Sequence, residues 1–227
     1  CAEEVALHTI GFLIDLVRKI TFYDKTVRAG KWDPLLGYKT YRITGKTIGL
    51  VFFGEIPKKM VPILKAMGLN ILVYAPTKSA EYLAEFGCEK ADTLEELLKE
   101  SDFVSLHCPL IPDVTWHLIG EKELKLMKPE AFLINTARGS VVDEPALVKA
   151  LKEGWIKGAA IDVIEDETNE VSDLFELENT VITPHAAFVS EDSFYDGRKR
   201  CLEQLVMRLS KKVVPTSLVN KDVEFEF

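Results

Sequence analysis

Residues 46–76 constrain the fold of this chain more than any other stretch. They begin with a short apolar run rich in β-branched residues, 47–52, which is typical of a strand buried on both faces. Gly54 then supplies a turn, apolar residues recur at helical spacing, and Gly68 ends the predicted helix before a second apolar strand, Asn70–Tyr74. The sequence therefore predicts a β-α-β unit, and such units bind ligands beyond the carboxyl ends of their parallel strands.

The turn of this unit carries part of a dinucleotide-binding pattern. The three glycine positions of G-x-G-x-x-G fall on Phe52, Gly54 and Pro57. Gly54 is the position at which the backbone approaches a pyrophosphate, whereas Pro57 removes one amide donor from the helix N-terminus. About twenty residues further on, Ala75 stands where an acidic residue would bind a ribose 2′-hydroxyl. Alone, this motif is a weak indication of a cofactor site.

Charge and cysteine content exclude several classes of protein. The chain has 227 residues and a formal net charge of −8, which argues against a nucleic-acid surface and against an anionic membrane as partners. Its four cysteines form no C-x-x-C pair, so we expect reduced thiols in a cytoplasmic protein. The apolar stretch near the N-terminus is interrupted by charged residues and predicts neither a signal peptide nor a membrane span. Because the chain begins with Cys1 inside a predicted helix, we expect that part of a longer protein precedes it.

Strands alternate with helices along the rest of the chain, which predicts an α/β fold, a doubly wound parallel sheet with flanking helices. We expect residues 1–44 to form a crossing helix, continuous over residues 4–28, and a linker loop packed on the nucleotide-binding domain. Residues 45–189 form that domain, and residues 190–227 form a C-terminal return helix and tail.

Three predicted strands deliver chemically active side chains to the same edge of the sheet. Arg138 follows one buried strand, Glu167 lies in the loop after a second, and His185 follows Pro184 at the end of a third. A guanidinium can clamp a carboxylate in two-point fashion. A histidine paired with a carboxylate can donate or accept a proton near neutral pH.

Residues 105–163, which include INTARGSVVDEPAL and GAAIDV, resemble the signature region of the D-isomer-specific 2-hydroxyacid dehydrogenases. The likeness extends over roughly residues 5–220, and the spacings of 29 residues from Arg138 to Glu167 and 18 from Glu167 to His185 fit the family. The resemblance implies a Rossmann-type sheet and an oxidoreductase that transfers a hydride between NAD(P)H and a small 2-oxo acid. It implies that His185 is the acid/base on the substrate oxygen, that Glu167 is its charge partner and that Arg138 orients the substrate.

The resemblance also assigns the cofactor NAD or NADP to a set of residues near the strand ends. Asp162, Thr136 and Ala137 would hold the nicotinamide carboxamide, and Gly54, Glu55 and Ile56 would approach the pyrophosphate. Cys108 and Pro109 would border the adenosine side. No metal is expected, because the acidic residues 165–167 have no clustered His or Cys beside them.

The family's N-terminal substrate domain is largely absent from this chain, so we expect the isolated chain to be inactive. By resemblance, a homodimer would form through the nucleotide domain. Ala75 has no carboxylate that would repel a 2′-phosphate, and Lys78 could bind such a phosphate. The sequence therefore predicts a preference for NADP over NAD. Two alternatives to an enzyme stay open, a binding or regulatory relative that has lost tight cofactor binding and a dimerising scaffold.

Overall fold

The computed structural model describes residues 1–36, 40–169, 171–210 and 213–217. The chain forms two compact units, one of residues Ala2–Ala187 and one of residues Phe188–Phe227 with Cys1. The first unit contains the sheet and every site residue predicted above.

Within the described residues, seven strands form one all-parallel sheet in the order β3-β2-β1-β4-β5-β6-β7. The strand order reverses between β1 and β4, and ligands bind at such a switch point in open α/β sheets. The predicted doubly wound parallel sheet is therefore confirmed. The strands are β1 (Thr47–Val51), β2 (Asn70–Tyr74), β3 (Glu89–Lys90), β4 (Phe103–Leu106), β5 (Phe132–Asn135), β6 (Gly158–Ile161) and β7 (Thr180–Ile182).

Helices flank the sheet on both faces, and two short 3-10 turns, Gly139–Val141 and Asp173–Glu176, lie in its loops. One apolar cluster joins α1, α3 and α4 to the sheet, and a second joins α5, α6 and α7 to it. A fully buried Leu or Ile contributes about 1.5–3 kcal/mol, so the two clusters fix the strands firmly. The helices of this unit are α1 (Ala2–Arg18), α2 (Ile20–Arg28), α3 (Glu55–Ala66), α4 (Ala80–Glu85), α5 (Leu94–Glu100), α6 (Glu121–Leu126) and α7 (Glu144–Glu153).

The first predicted helix is not continuous. It breaks at Lys19, whose backbone is left-handed at φ 56° and separates α1 from α2. The Asp15 carboxylate accepts hydrogen bonds from the backbone amide and the hydroxyl of Thr21, at 2.8 and 2.5 Å. These bonds replace helical ones, so the prediction of a single helix over residues 4–28 is wrong at this point.

The second unit contains one helix among its described residues, α8 (Glu191–Leu209). Ser190 begins it, and the hydroxyls of Ser190 and Ser193 each accept a hydrogen bond from the other's backbone amide. The sequence predicted a return helix and tail over residues 190–227, of which residues 211, 212 and 218–227 lie outside the described part. In the described segments, no helix is both long enough and apolar enough to cross a membrane.

Candidate active site

The structure brings His185 and Glu167 into direct contact at the carboxyl end of β7. His185 Nδ1 lies 2.8 Å from Glu167 Oε2, and both side chains are about two-fifths exposed, at 39% and 43%. An ionised carboxylate only accepts hydrogen bonds, so Glu167 selects the tautomer in which Nδ1 carries a proton. The other ring nitrogen, Nε2, is then the one that can exchange a proton with a substrate oxygen.

Asp162 holds the segment that carries His185. Its buried carboxylate accepts hydrogen bonds from the Ala186 and Ala187 amides at 2.8 and 3.0 Å, and from the Thr183 hydroxyl. The His185 amide donates to the Asp162 carbonyl oxygen at 2.7 Å, and the His185 backbone is left-handed at φ 52°. Asp162 was expected to contact the nicotinamide. In the structure, the Asp162 carboxylate forms hydrogen bonds that fix the conformation of residues 183–187.

Helix α1 reaches the same site through two residues that the sequence did not single out as functional. His8 Nε2 lies 2.9 Å from Thr183 Oγ1, and Thr9 Oγ1 lies 3.0 Å from Thr136 Oγ1. Because the Thr183 hydroxyl donates its only proton to Asp162, His8 must donate through Nε2. Only the packing of α1 across the sheet shows this contact, because His8 and Thr183 are 175 residues apart in the sequence.

Arg138 lies in the loop after β5, two strands along the sheet from β7. Asn135 shapes this loop, because its side chain accepts from the Ala137 amide at 3.0 Å and donates to the Arg138 carbonyl at 3.0 Å. Thr136 is buried beneath it, whereas the Arg138 side chain is exposed and donates to the Ala137 carbonyl at 2.6 Å. The guanidinium is thus accessible to an anionic substrate.

Gly139 brings the Arg138 loop against the Glu167 loop. A Cβ at Gly139 would lie 1.8 Å from the carbonyl oxygen of Ile164 and 2.6 Å from the Glu165 nitrogen. Only glycine permits so close an approach of two backbones.

A cleft of about 940 Å³ runs along β7 and contains the histidine–carboxylate pair. Apolar side chains such as Phe175, Leu177 and Ile182 form part of its wall. Its polar lining is made by Thr21, Lys25, Asp162, Glu167, Thr180, Thr183 and His185. Apolar walls with a few convergent polar groups are typical of small-molecule sites.

The turn after β1 keeps an open helix N-terminus despite its missing glycines. Phe52 takes the left-handed conformation of a glycine at φ 71°, and its side chain packs against the apolar core. No heavy atom lies within 4 Å of a Cβ built on Gly54, so this position is open to a ligand. Gly54 precedes the first turn of α3, where the amides of Glu55 and Ile56 have no partner within the helix. Pro57 removes the donor that follows them.

The remaining predicted cofactor residues lie at the ends of β2 and β4. Ala75 is buried after β2, and Lys78 Nζ lies 5.0 Å from the centre of the Tyr82 ring. Cys108 and Pro109 follow β4 beside the switch point. Burial raises the pKa of the Cys108 thiol to about 11, which leaves it protonated and excludes it as a nucleophile at neutral pH.

Two further histidines, His107 and His117, lie near the strand ends. His107 follows β4, its Nε2 lies 2.9 Å from Ser105 Oγ, and burial lowers its pKa to about 3, so its ring is neutral. His117 pairs with Glu165, at 2.7 Å between Nε2 and Oε1. No pattern in the local sequence marks either contact. In the described part of the chain, no group of three or more His, Cys, Asp or Glu side chains could hold a metal ion.

Comparisons with known proteins find relatives over nearly the whole of this chain. The chain is 44% identical over 220 residues to a glyoxylate reductase from Thermococcus litoralis, an alignment that covers 94% of this chain and 65% of that protein. The chain thus spans about two thirds of the length of the curated relatives that it matches.

Solved structures show the same fold. The NAD complex of the D-isomer specific 2-hydroxyacid dehydrogenase from Lactobacillus delbrueckii ssp. bulgaricus superposes with a TM-score of 0.84 at 34% identity, covering 97% of this chain and 70% of that one. An acyclic imino acid reductase in complex with NADPH and D-Arg superposes with a TM-score of 0.83 at 32% identity. The superposition covers 95% of this chain and 68% of that one.

The family profile described as "D-isomer specific 2-hydroxyacid dehydrogenase, NAD binding domain" matches residues 10–187, a span that includes β1 to β7 and the histidine–carboxylate pair. The chain therefore belongs to the D-isomer specific 2-hydroxyacid dehydrogenase family.

Proposed function

We propose that the protein carrying this chain transfers a hydride between NAD(P)H and a 2-oxo acid, with His185 as the acid/base. The observation that carries the proposal is the 2.8 Å contact between His185 Nδ1 and Glu167 Oε2 in a cleft at the carboxyl edge of the sheet. Glu167 orients the ring and stabilises its charged form, while Arg138 offers a guanidinium to the substrate carboxylate. The similarity to glyoxylate reductases makes glyoxylate the first substrate to test.

A nicotinamide cofactor would supply the hydride, and this chain's residues would bind and orient it. The amides of Glu55 and Ile56 would receive the pyrophosphate, with Gly54 allowing close approach. Thr136 and Ala137 at the end of β5, and Asp162 at the end of β6, would border the nicotinamide. Cys108 and Pro109 would border the adenosine.

Titration of this chain with NADH and then NADPH, followed by quenching of Trp fluorescence, tests the cofactor part of the proposal. Assay of the protein that carries the chain with glyoxylate and other 2-oxo acids tests the reaction. Micromolar cofactor binding with turnover supports the proposal. Absence of binding at millimolar cofactor favours the alternative, a relative that keeps the fold for binding or regulation.

Gly54→Ala is expected to weaken NADH binding by about tenfold or more without destabilising the protein. The new methyl group meets no protein atom within 4 Å, but it occupies the path of the pyrophosphate. Fluorescence titration measures the affinity, and urea unfolding is expected to show a change below about 1 kcal/mol.

Gly120→Ala is the matched control for this substitution. Gly120 precedes α6 with φ −108° and ψ −165°, close to the φ −106° and ψ −156° of Gly54. If both variants weaken NADH binding equally, the turn after β1 is not the pyrophosphate site.

For the choice of cofactor, we propose a preference for NADPH that depends on Lys78. Lys78→Glu should reduce NADPH affinity by about tenfold and change NADH affinity much less, because the carboxylate repels a 2′-phosphate. Lys122→Glu makes the same change of charge at an exposed lysine of α6 and serves as the control. Equal NADPH affinity in Lys78→Glu and the unmodified chain contradicts this role.

We also propose a cytoplasmic homodimer, formed through the nucleotide domain, that binds neither nucleic acid nor membrane. Trp32 and Leu35, in the segment between α2 and that domain, are 87% and 88% exposed, which suits burial against a second copy. Sedimentation velocity distinguishes a dimer from a monomer. Cys88, Cys108 and Cys201 are free thiols, which supports a reducing compartment, and cell fractionation tests this location.

A further inference from the structure

The position of Glu167 depends on the loop that carries it, not on its own contact with His185. Both side chains are more than a third exposed, and an exposed ion pair contributes under about 1 kcal/mol. Such a pair cannot hold its own loop in place. Something else must fix residues 164–169 for the pair to persist.

The loop is attached to the start of α7 through Glu144. The Glu165 amide donates to Glu144 Oε2 at 2.8 Å, and the Ser172 hydroxyl donates to Glu144 Oε1 at 2.5 Å. One carboxylate therefore holds the chain on both sides of Glu167.

His117 attaches the loop from the other direction. Its Nε2 lies 2.7 Å from Glu165 Oε1, and the two side chains are 33% and 25% exposed, better shielded than the His185–Glu167 pair. Because the carboxylate only accepts, Nε2 carries the proton in this contact.

The backbone of His117 is fixed to the segment that follows Arg138. The His117 amide donates to the Ser140 carbonyl at 2.9 Å, and Ile119 and Val142 form a parallel bridge. His117 itself is left-handed at φ 47°. This residue therefore connects the Arg138 loop, through its backbone, to the Glu167 loop, through its side chain.

We propose that His117 is a positioning residue, which holds Glu165 so that Glu167 stays in contact with His185 Nδ1. In this role it acts through Glu165 and not by contact with substrate or cofactor. The consequence for turnover rests on the proposed function, whereas the consequence for the His185 ring does not.

His117→Asn is the variant that tests the contact. Asparagine tolerates a left-handed backbone, so the local conformation is kept, but its side chain is too short to reach Glu165. The readout is ¹⁵N NMR of the histidine rings at a pH where they are neutral, since the shifts of Nδ1 and Nε2 report which nitrogen carries the proton. The chain has four histidines, and substitution of each assigns the signals.

In the unmodified chain, the neutral His185 ring is expected to carry its proton on Nδ1, and Glu167→Gln is expected to shift the tautomer populations. His117→Asn should move the His185 signals at least half of the way towards those of Glu167→Gln. Trp116→Leu is the control, because it removes the ring stacked 4.8 Å from His117 and leaves the Glu165 contact intact.

Unchanged His185 signals in His117→Asn overturn the proposal. Equal shifts in His117→Asn and Trp116→Leu overturn it too, because loop packing then explains the effect. If His117→Asn does not fold, Glu165→Ala decides by the same reading, because it removes the carboxylate that His117 contacts and keeps the backbone amide that donates to Glu144.

In the protein that carries this chain, His117→Asn should lower kcat by about 10- to 100-fold with little change in the KM for cofactor, because a misplaced partner group impairs proton transfer but not binding. Absence of turnover in the unmodified protein would refute the proposed function alone. The NMR result would still decide the role of His117.

Discussion

Replacing His185 by Gln is expected to lower kcat by about 10²–10⁴-fold, the usual contribution of a positioned acid/base. Glutamine keeps a polar side chain of similar reach but cannot transfer a proton near neutral pH. The ring contacts Glu167 at 2.8 Å, so Glu167→Gln, which removes only the orienting charge, should cost less than His185→Gln. Steady-state kinetics with glyoxylate and NAD(P)H measure both variants.

Cofactor affinity serves as the control for folding in these variants. His185 lies at the end of β7, far along the sheet from the turn after β1, so NADH affinity should stay within about twofold of the unmodified protein. A His185→Gln enzyme that retains more than a tenth of its kcat would show that another group transfers the proton.

Gly139→Ala is expected to destabilise the protein by about 3 kcal/mol, the upper part of the range for overpacking. Its Cβ would lie 1.8 Å from the Ile164 carbonyl oxygen, and a backbone atom cannot rotate away as a side chain can. The β5 and β6 loops would have to separate, which would also move Arg138 away from Glu167. Urea unfolding measures the loss, and kcat/KM should fall in parallel even where the protein is fully folded.

Gly11→Ala makes the same chemical change, but we expect it to raise the free energy of unfolding, whereas Gly139→Ala should lower it. Gly11 is exposed within α1 and has no heavy atom within 4 Å of a built Cβ. It should stabilise the protein by about 0.5–1 kcal/mol, because alanine is the better helix former. If Gly139→Ala is as stable as the unmodified protein, the two loops are free to move apart.

Sequence reasoning predicted the fold because the signals for it are local. Buried strands read as apolar runs, Asp143 and Gly154 mark the two ends of α7, and regular alternation of strands and helices requires parallel pairing. For the same reason Arg138, Glu167 and His185 could be assigned to one edge of the sheet, since each lies in the segment that follows a predicted strand.

The contacts that hold the site together could not be predicted in this way. His117 and Glu165 are 48 residues apart, and His8 and Thr183 are 175 apart, so their contacts depend on how loops and α1 pack on the finished sheet. The break at Lys19 follows from the Asp15 side chain competing with the helix for the Thr21 amide. Phe52 shows a different case, because a bulky residue stands at a glycine position of the motif while its backbone keeps the left-handed conformation of a glycine.

The edges of the sheet bear on how this protein behaves in concentrated solution. Unpaired edge strands are templates for polymerisation between molecules, and short edges are one natural protection against it. Here both edge strands are short, since β3 has two residues and β7 has three. Pro184, which is separated from β7 by Thr183 alone, has no amide hydrogen to donate to another strand. We therefore expect self-association of this chain to bury side chains such as Trp32 and Leu35, and to stop at a defined size instead of extending strand by strand into fibres.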